Sequence, residues 1–208
     1  MIDSRTLFTY ALIVLGLFLI PGPAVLLTLT RSMGSGRRVG IATGLGIATG
    51  DFIHTIAATL GLSAVLSTSA TAFSLVKYAG ALYLIYLGVR SFLEKTELSQ
   101  LAAGAPITAV TAFRQPILSE ILNPKTALFF LAFLPQFVHP ENGPVIAQFA
   151  VLGVVFAMMS AAYTSLLAVG AGAFARWLTR YPGFARWQGK LVGTIYLGLG
   201  IRLALEKR

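Results

Sequence analysis

Phe18-Leu19-Ile20-Pro21-Gly22-Pro23-Ala24 and Leu122-Asn123-Pro124-Lys125-Thr126-Ala127 each interrupt a long apolar run. Proline inside a helix removes a backbone hydrogen bond and clashes with the preceding turn, at a cost of about 3 kcal/mol. Two prolines around a glycine therefore end one helix and start another. Downstream of each break stands the same spaced signature, Lys-x-x-Gly-x-x-Tyr-Leu. It is Lys77, Gly80, Tyr83 and Leu84 in the first copy, and Lys190, Gly193, Tyr196 and Leu197 in the second. Two related halves, each with an interrupted helix, are the pattern of a transporter whose site lies at the interruptions.

Composition sets the class. Of the 208 residues 56% are hydrophobic and only 11% charged, against roughly 25% charged in soluble domains. Six apolar stretches can be read, at about 6–30, 39–66, 70–93, 115–138, 145–175 and 188–205. Each is close to the ~20 residues that cross a bilayer as a helix. The fourth contains Glu120, Asn123 and Lys125, so it spans fully or is partly re-entrant. The expected fold is all-α and membrane-integral, a single domain over 1–208 with six transmembrane helices, of which helices 1 and 4 are broken. Repeat one covers about 1–95, a cytoplasmic linker about 94–114, and repeat two about 115–208.

Charge placement gives orientation. The net charge is +9, but the basic residues sit singly or in small groups between apolar runs, which argues against nucleic acid. Eleven of the 16 Lys and Arg residues fall in or beside connections one, three and five. The positive-inside rule makes those connections cytoplasmic and puts both termini outside. Three spans per half is an odd number, so a duplicated second half is inverted relative to the first. The signature copies are 113 residues apart, whereas Pro21 and Ala24 match Pro124 and Ala127 at a distance of 103.

Several residues can carry chemistry. Pro21, Gly22, Pro23, Asn123, Pro124 and Lys125 would shape a substrate site from exposed backbone ends and one cation. A lysine at bilayer depth costs ~2.5–3.5 kcal/mol on insertion scales unless it snorkels or meets a counter-charge. Lys125 therefore binds a substrate carboxylate, stabilises the broken helix end, or lies near the cytoplasmic boundary and reaches the headgroups with Glu120 or a lipid phosphate as partner. In the glycine-rich second stretch, positions 40, 44, 47, 51, 54, 58 and 61 form one stripe expected to face the bundle. It carries Asp51 and His54, a pair three residues apart that could exchange a proton, or simply bond to a neighbouring helix. Tyr83, Tyr86, Tyr196, Gln136 and His139 are weaker candidates.

Enzymatic readings fail on spacing. Gly183 to Gly189-Lys190 has one intervening residue too many for a phosphate-binding loop, and Leu191 follows. The sequence contains no His-Glu-x-x-His, no paired-carboxylate metal motif and no cysteine. Gly61-Leu62-Ser63-Ala64 lacks the context of an intramembrane serine nucleophile. No metal or cofactor is expected.

The chain resembles the LysE/RhtB-type amino-acid exporters. The likeness rests on Phe18 to Pro23, the glycine-rich second stretch, Lys77 to Gly88, Leu122 to Phe130 and Leu134-Pro135-Gln136-Phe137. It runs in order over nearly the whole chain. It implies a bacterial inner-membrane exporter of amino acids or derivatives such as threonine, homoserine, homoserine lactone or basic amino acids. The proton gradient would drive it by alternating access; lipid surrounds it, and a homodimer is allowed. A small-solute channel and a membrane-embedded accessory subunit are the alternatives.

Overall fold

A computed structural model describes residues 2–19, 22–68, 70–93, 106–180 and 182–205, and every regular element among them is helical. Helix α1 (Ser4–Phe18) starts at Asp3, whose carboxylate accepts from Thr6 N and Thr6 Oγ1 at 2.8 Å each. Those bonds hold the Asp3 carboxyl below its usual range. Helix α2 (Pro23–Ser35) begins with Pro23 in its first turn, where the missing N–H costs nothing. The two are bent by 60° at the first break. Gly36, at φ 87°, ends α2 and turns the chain into α3 (Arg37–Thr68). That left-handed conformation suits a residue without a Cβ.

Helix α4 (Ala70–Leu93) completes the first half. Helix α5 (Ala109–Ile121) is capped by Thr108 and begins six residues before the apolar run, because the cap and not hydrophobicity sets the start. The expected linker falls largely in 94–105, outside the described residues. Helix α6 (Pro124–Ala132) follows the second break at a bend of 53°. It gives way to short 3-10 turns at Leu134–Phe137 and Pro140–Asn142, each opened by proline. Helices α7 (Val145–Arg180) and α8 (Pro182–Leu205) finish the chain.

Two helices, α3 and α7, are long and apolar enough to cross a membrane, and each bent pair qualifies as a further span. The surface agrees with that. Phe52, Ile56, Leu60, Met158 and Leu166 point outward. Thr28, Thr43, Asp51, Thr55, Glu120, Ser160 and Thr164 are buried. An apolar exterior around a polar interior is the arrangement expected where the solvent is hydrocarbon.

Helix α3 is central and packs against α7, α5 and α2. Its glycines divide between two partners. A Cβ on Gly40 would collide with Ala168, and one on Gly44 with Thr164, so α7 approaches there. Gly46 and Gly50 instead admit α5, at Phe113 and Glu120. Contacts of Gly40 with Ala168 and of Gly153 with Thr55 make α3 and α7 antiparallel. Gly88 against Gly193 and Gly200 against Ala81 do the same for α4 and α8, the two helices that carry the repeated signature.

The inward stripe on α3 holds only for part of its length. Gly40, Gly44, Ile47, Asp51 and Ala58 are buried, whereas Gly61 is exposed with nothing within 4 Å of a Cβ built there. A strict seven-residue spacing drifts ~20° per heptad on a straight helix, so about 60° accumulates between 40 and 61.

Candidate functional site

The second break is built by its own side chains. Asn123 caps α6, its Oδ1 accepting from Lys125 N at 3.0 Å. Its Nδ2 donates to Glu120 Oε1 at 3.0 Å, and Thr126 Oγ1 donates to the same oxygen at 2.5 Å. Glu120, on the last turn of α5, is thereby held against the break and is 5% exposed. At the first break Gly22 sits at the N-cap of α2 without a side-chain hydrogen bond. That leaves the first turn of α2 open to an anion.

The two breaks meet. Lys125 Nζ lies 3.4 Å from where a Cβ on Gly22 would stand, so the ammonium of the second break rests against the backbone of the first. Around this junction lies a cavity of about 50 Å³. Its polar lining includes Asp51, Glu120, Asn123, Lys125, Thr126 and Ser160. Leu17, Phe18, Val25, Ile47, Phe156 and Tyr163 form its apolar wall. Phe18 stacks on Tyr163 at 5.7 Å and meets Phe156 edge-on at 5.0 Å, which makes that wall rigid.

Asp51 is the exceptional group. It is 1% exposed, and neither carboxylate oxygen makes a hydrogen bond. Ser160 and Glu120 are its electrostatic neighbours. Unpartnered buried carboxylates are costly, so one that lines a cavity signals a function. Other hydroxyls near the cavity are accounted for: Thr28 bonds Ala24 O, and Thr164 bonds Ser160 O, each one turn back along its own helix.

Of the residues expected to shape the site, Gly22, Pro23, Asn123, Lys125 and Asp51 line the cavity together. Pro124 is in the first turn of α6 and exposed, so it acts through the bend. Pro21 lies outside the described residues. His54 does not line the cavity; its Nε2 is 3.0 Å from Glu120 O, and its ring stacks on Phe130. Tyr83 and Tyr86 are paired with each other at 5.8 Å, and His139 with Glu141 at 3.3 Å. Sequence reasoning missed Glu120 as a site residue, together with Thr126, Ser160, Tyr163 and Thr164. One signal was available: Ser160, Tyr163 and Thr164 share a face of an otherwise apolar run.

Comparison with known proteins gives the family of the chain. The model for "LysE type translocator" matches residues 15–207. A membrane protein of Bacillus subtilis, YrhP, is 32% identical, covering 97% of this chain and all of its own length. The homoserine/homoserine lactone efflux protein of Salmonella typhimurium is 30% identical over 95% of each chain. The leucine efflux protein of the same organism is 29% identical over 95% of this chain and 93% of its own. No solved structure matches. With its family pattern matched from the first broken helix to the last, the chain belongs to the LysE family of translocators.

Proposed function

We propose that this protein exports amino acids across the bacterial inner membrane as a secondary transporter, with the substrate held where the two broken helices meet. One observation carries the reading: Lys125 and the unpartnered Asp51 line the same cavity at that junction. A zwitterion presents the complementary pair, a carboxylate for Lys125 and the open first turn of α2, and an ammonium for Asp51. The apolar wall of Leu17, Phe18, Val25 and Phe156 suits an uncharged side chain. Relatives named for leucine and homoserine efflux support that class.

Six spans arranged as an inverted repeat fit the same picture. Helices α4 and α8 have 24 residues each, about 36 Å at 1.5 Å per residue, enough to add two spans to the other four. Antiparallel packing of α3 on α7 and of α4 on α8 is what equivalent helices of inverted halves would show. A cavity of about 50 Å³ is well below the roughly 300 Å³ of a small-molecule site. The helices must part around the breaks to admit a substrate, as alternating access requires. Export against a gradient needs an energy source, and the proton gradient is the proposed one.

Reconstitution tests the reading. Labelled L-leucine, L-homoserine and L-threonine should leave loaded vesicles saturably, faster under an imposed proton gradient. Lys125→Met should raise the apparent KM at least tenfold, because a buried charged hydrogen bond is worth about 1.5–3 kcal/mol. Non-saturable flux would indicate a channel. Flux only with a second protein present would indicate an accessory subunit.

A further inference from the structure

We propose that Asp51 and Glu120 together form the site of the coupling proton, and that the substrate's ammonium group displaces the proton from this same pair. The inference rests on the reading of the chain as a proton-driven amino-acid exporter and assigns to Glu120 a part that Asp51 and His54 were expected to share.

Geometry brings the two carboxylates together. Asp51 on α3 and Glu120 on α5 are both buried, interact electrostatically and line one cavity. Their approach depends on Gly50, the residue before Asp51: a Cβ there would stand 2.6 Å from Glu120 Cβ. Glu120 is held by Asn123 and Thr126 through a single oxygen, and His54 meets its backbone carbonyl. Asp51 has Ser160 and Glu120 as its neighbours, and neither of its buried oxygens makes a hydrogen bond of good geometry. Two carboxylates in a low-dielectric space repel when both are charged, so one proton or one cationic group between them is favoured. The other titratable groups around the pair are Lys125 from α6, Tyr163 from α7 and Tyr10 from α1, while α2 contributes none to the cavity. Tyr10 is bonded to Leu152 O at 3.1 Å, and Lys125 faces Gly22 while interacting electrostatically with Glu120, so one cation is already shared by the two carboxylates. Among the described residues, no other carboxylate lines the cavity.

The exchange balances. On the cytoplasmic side an amino acid enters, its carboxylate at Lys125 and its ammonium at the pair. The carboxyl O–H bond breaks, and the proton passes to cytoplasmic water. On the outer side the amino acid leaves, and a proton from outside water bonds to a carboxylate oxygen. One proton enters for each amino acid exported. A cavity holding neither would bury two carboxylates against a single lysine, which opposes reorientation and prevents slippage.

The full chain, purified in detergent and reconstituted, tests this with L-leucine, L-homoserine and L-threonine as probes. Adding the bound amino acid to lightly buffered wild-type protein with a pH indicator should release close to one proton per site. The apparent Kd should fall about tenfold for each pH unit gained while the pair carries its proton. Glu120→Gln, which keeps the acceptor for Asn123 and Thr126, should abolish both the release and the pH dependence. Its exchange of labelled for unlabelled amino acid without a gradient should fall, because Asp51 alone is left to hold the ammonium. Wild-type binding with no proton release and a constant Kd overturns the inference, while exchange by the same sample keeps the exporter reading intact. Loss of release in His54→Gln but not in Glu120→Gln also overturns it, by moving the proton to His54. Absence of exchange by wild type for every probe overturns the exporter reading and the inference with it.

Discussion

Gly50 and Gly61 stand on the same helix, three turns apart, and do opposite things. At Gly50 an added Cβ would press on Glu120 Cβ, on Cγ at 3.0 Å and on Ile117 O at 3.2 Å. One of those atoms is backbone, so relief requires α5 to move away from α3. Gly50→Ala should therefore lower stability by roughly 1–3 kcal/mol, as overpacking does, and impair export by separating Glu120 from Asp51. Gly61→Ala meets open space and should instead stabilise by roughly 0.5–1 kcal/mol through helix propensity. Unfolding of both variants in one detergent measures the contrast. Equal effects would show that Gly50 does not set the α3–α5 distance. The glycines were visible in the sequence as small-residue spacings, but which of them touched a neighbour was not, since spacing says nothing about what lies opposite.

At the scale of elements, the two breaks differ in how they are held open. The second is pinned by Asn123, which caps α6 and ties Glu120 to it. Among the described residues, the first has Gly22 and Pro23 and no capping side chain, with Lys125 beside Gly22. Removing the proline constraint should therefore straighten the first break more readily than the second. Gly22→Ala with Pro23→Ala should keep the protein folded and membrane-inserted, with unfolding temperature unchanged or raised. Export of labelled L-leucine or L-homoserine should fall at least tenfold, because a straightened first break closes the open first turn of α2 beside Lys125. Retained export would show that the 60° bend is a packing feature only.

For the whole molecule, orientation is the quantity to test, and the chain makes the test clean because it contains no cysteine. Arg38, beside the α2–α3 turn, and Asn142, in the turn before α7, are both exposed. Arg38→Cys should react with a membrane-impermeant maleimide only after cells are opened, and Asn142→Cys in intact cells. The reverse pattern would invert the positive-inside assignment. The distribution of polarity supports a membrane setting but not its sidedness: Asp51, Glu120 and several hydroxyls are buried, while Phe52, Ile56 and Leu60 are exposed. That distribution is legible only in part from the sequence, since one helix face looks like another until its neighbours are known.

What the sequence determined by itself was local or compositional. Scarcity of charge made the chain a membrane protein, proline chemistry located both breaks to the residue, and the ordered motifs around them named the family. Each follows from interactions within a few residues or from totals, and these do not depend on how helices pack. Only the tertiary structure decided what Asp51 faces. His54 is its neighbour in sequence, but the ring turns to Glu120 O and Phe130, while Glu120, sixty-nine positions away, stands beside it. Their approach depends on two helices crossing where one of them has no side chain. No periodicity along either helix records that distance.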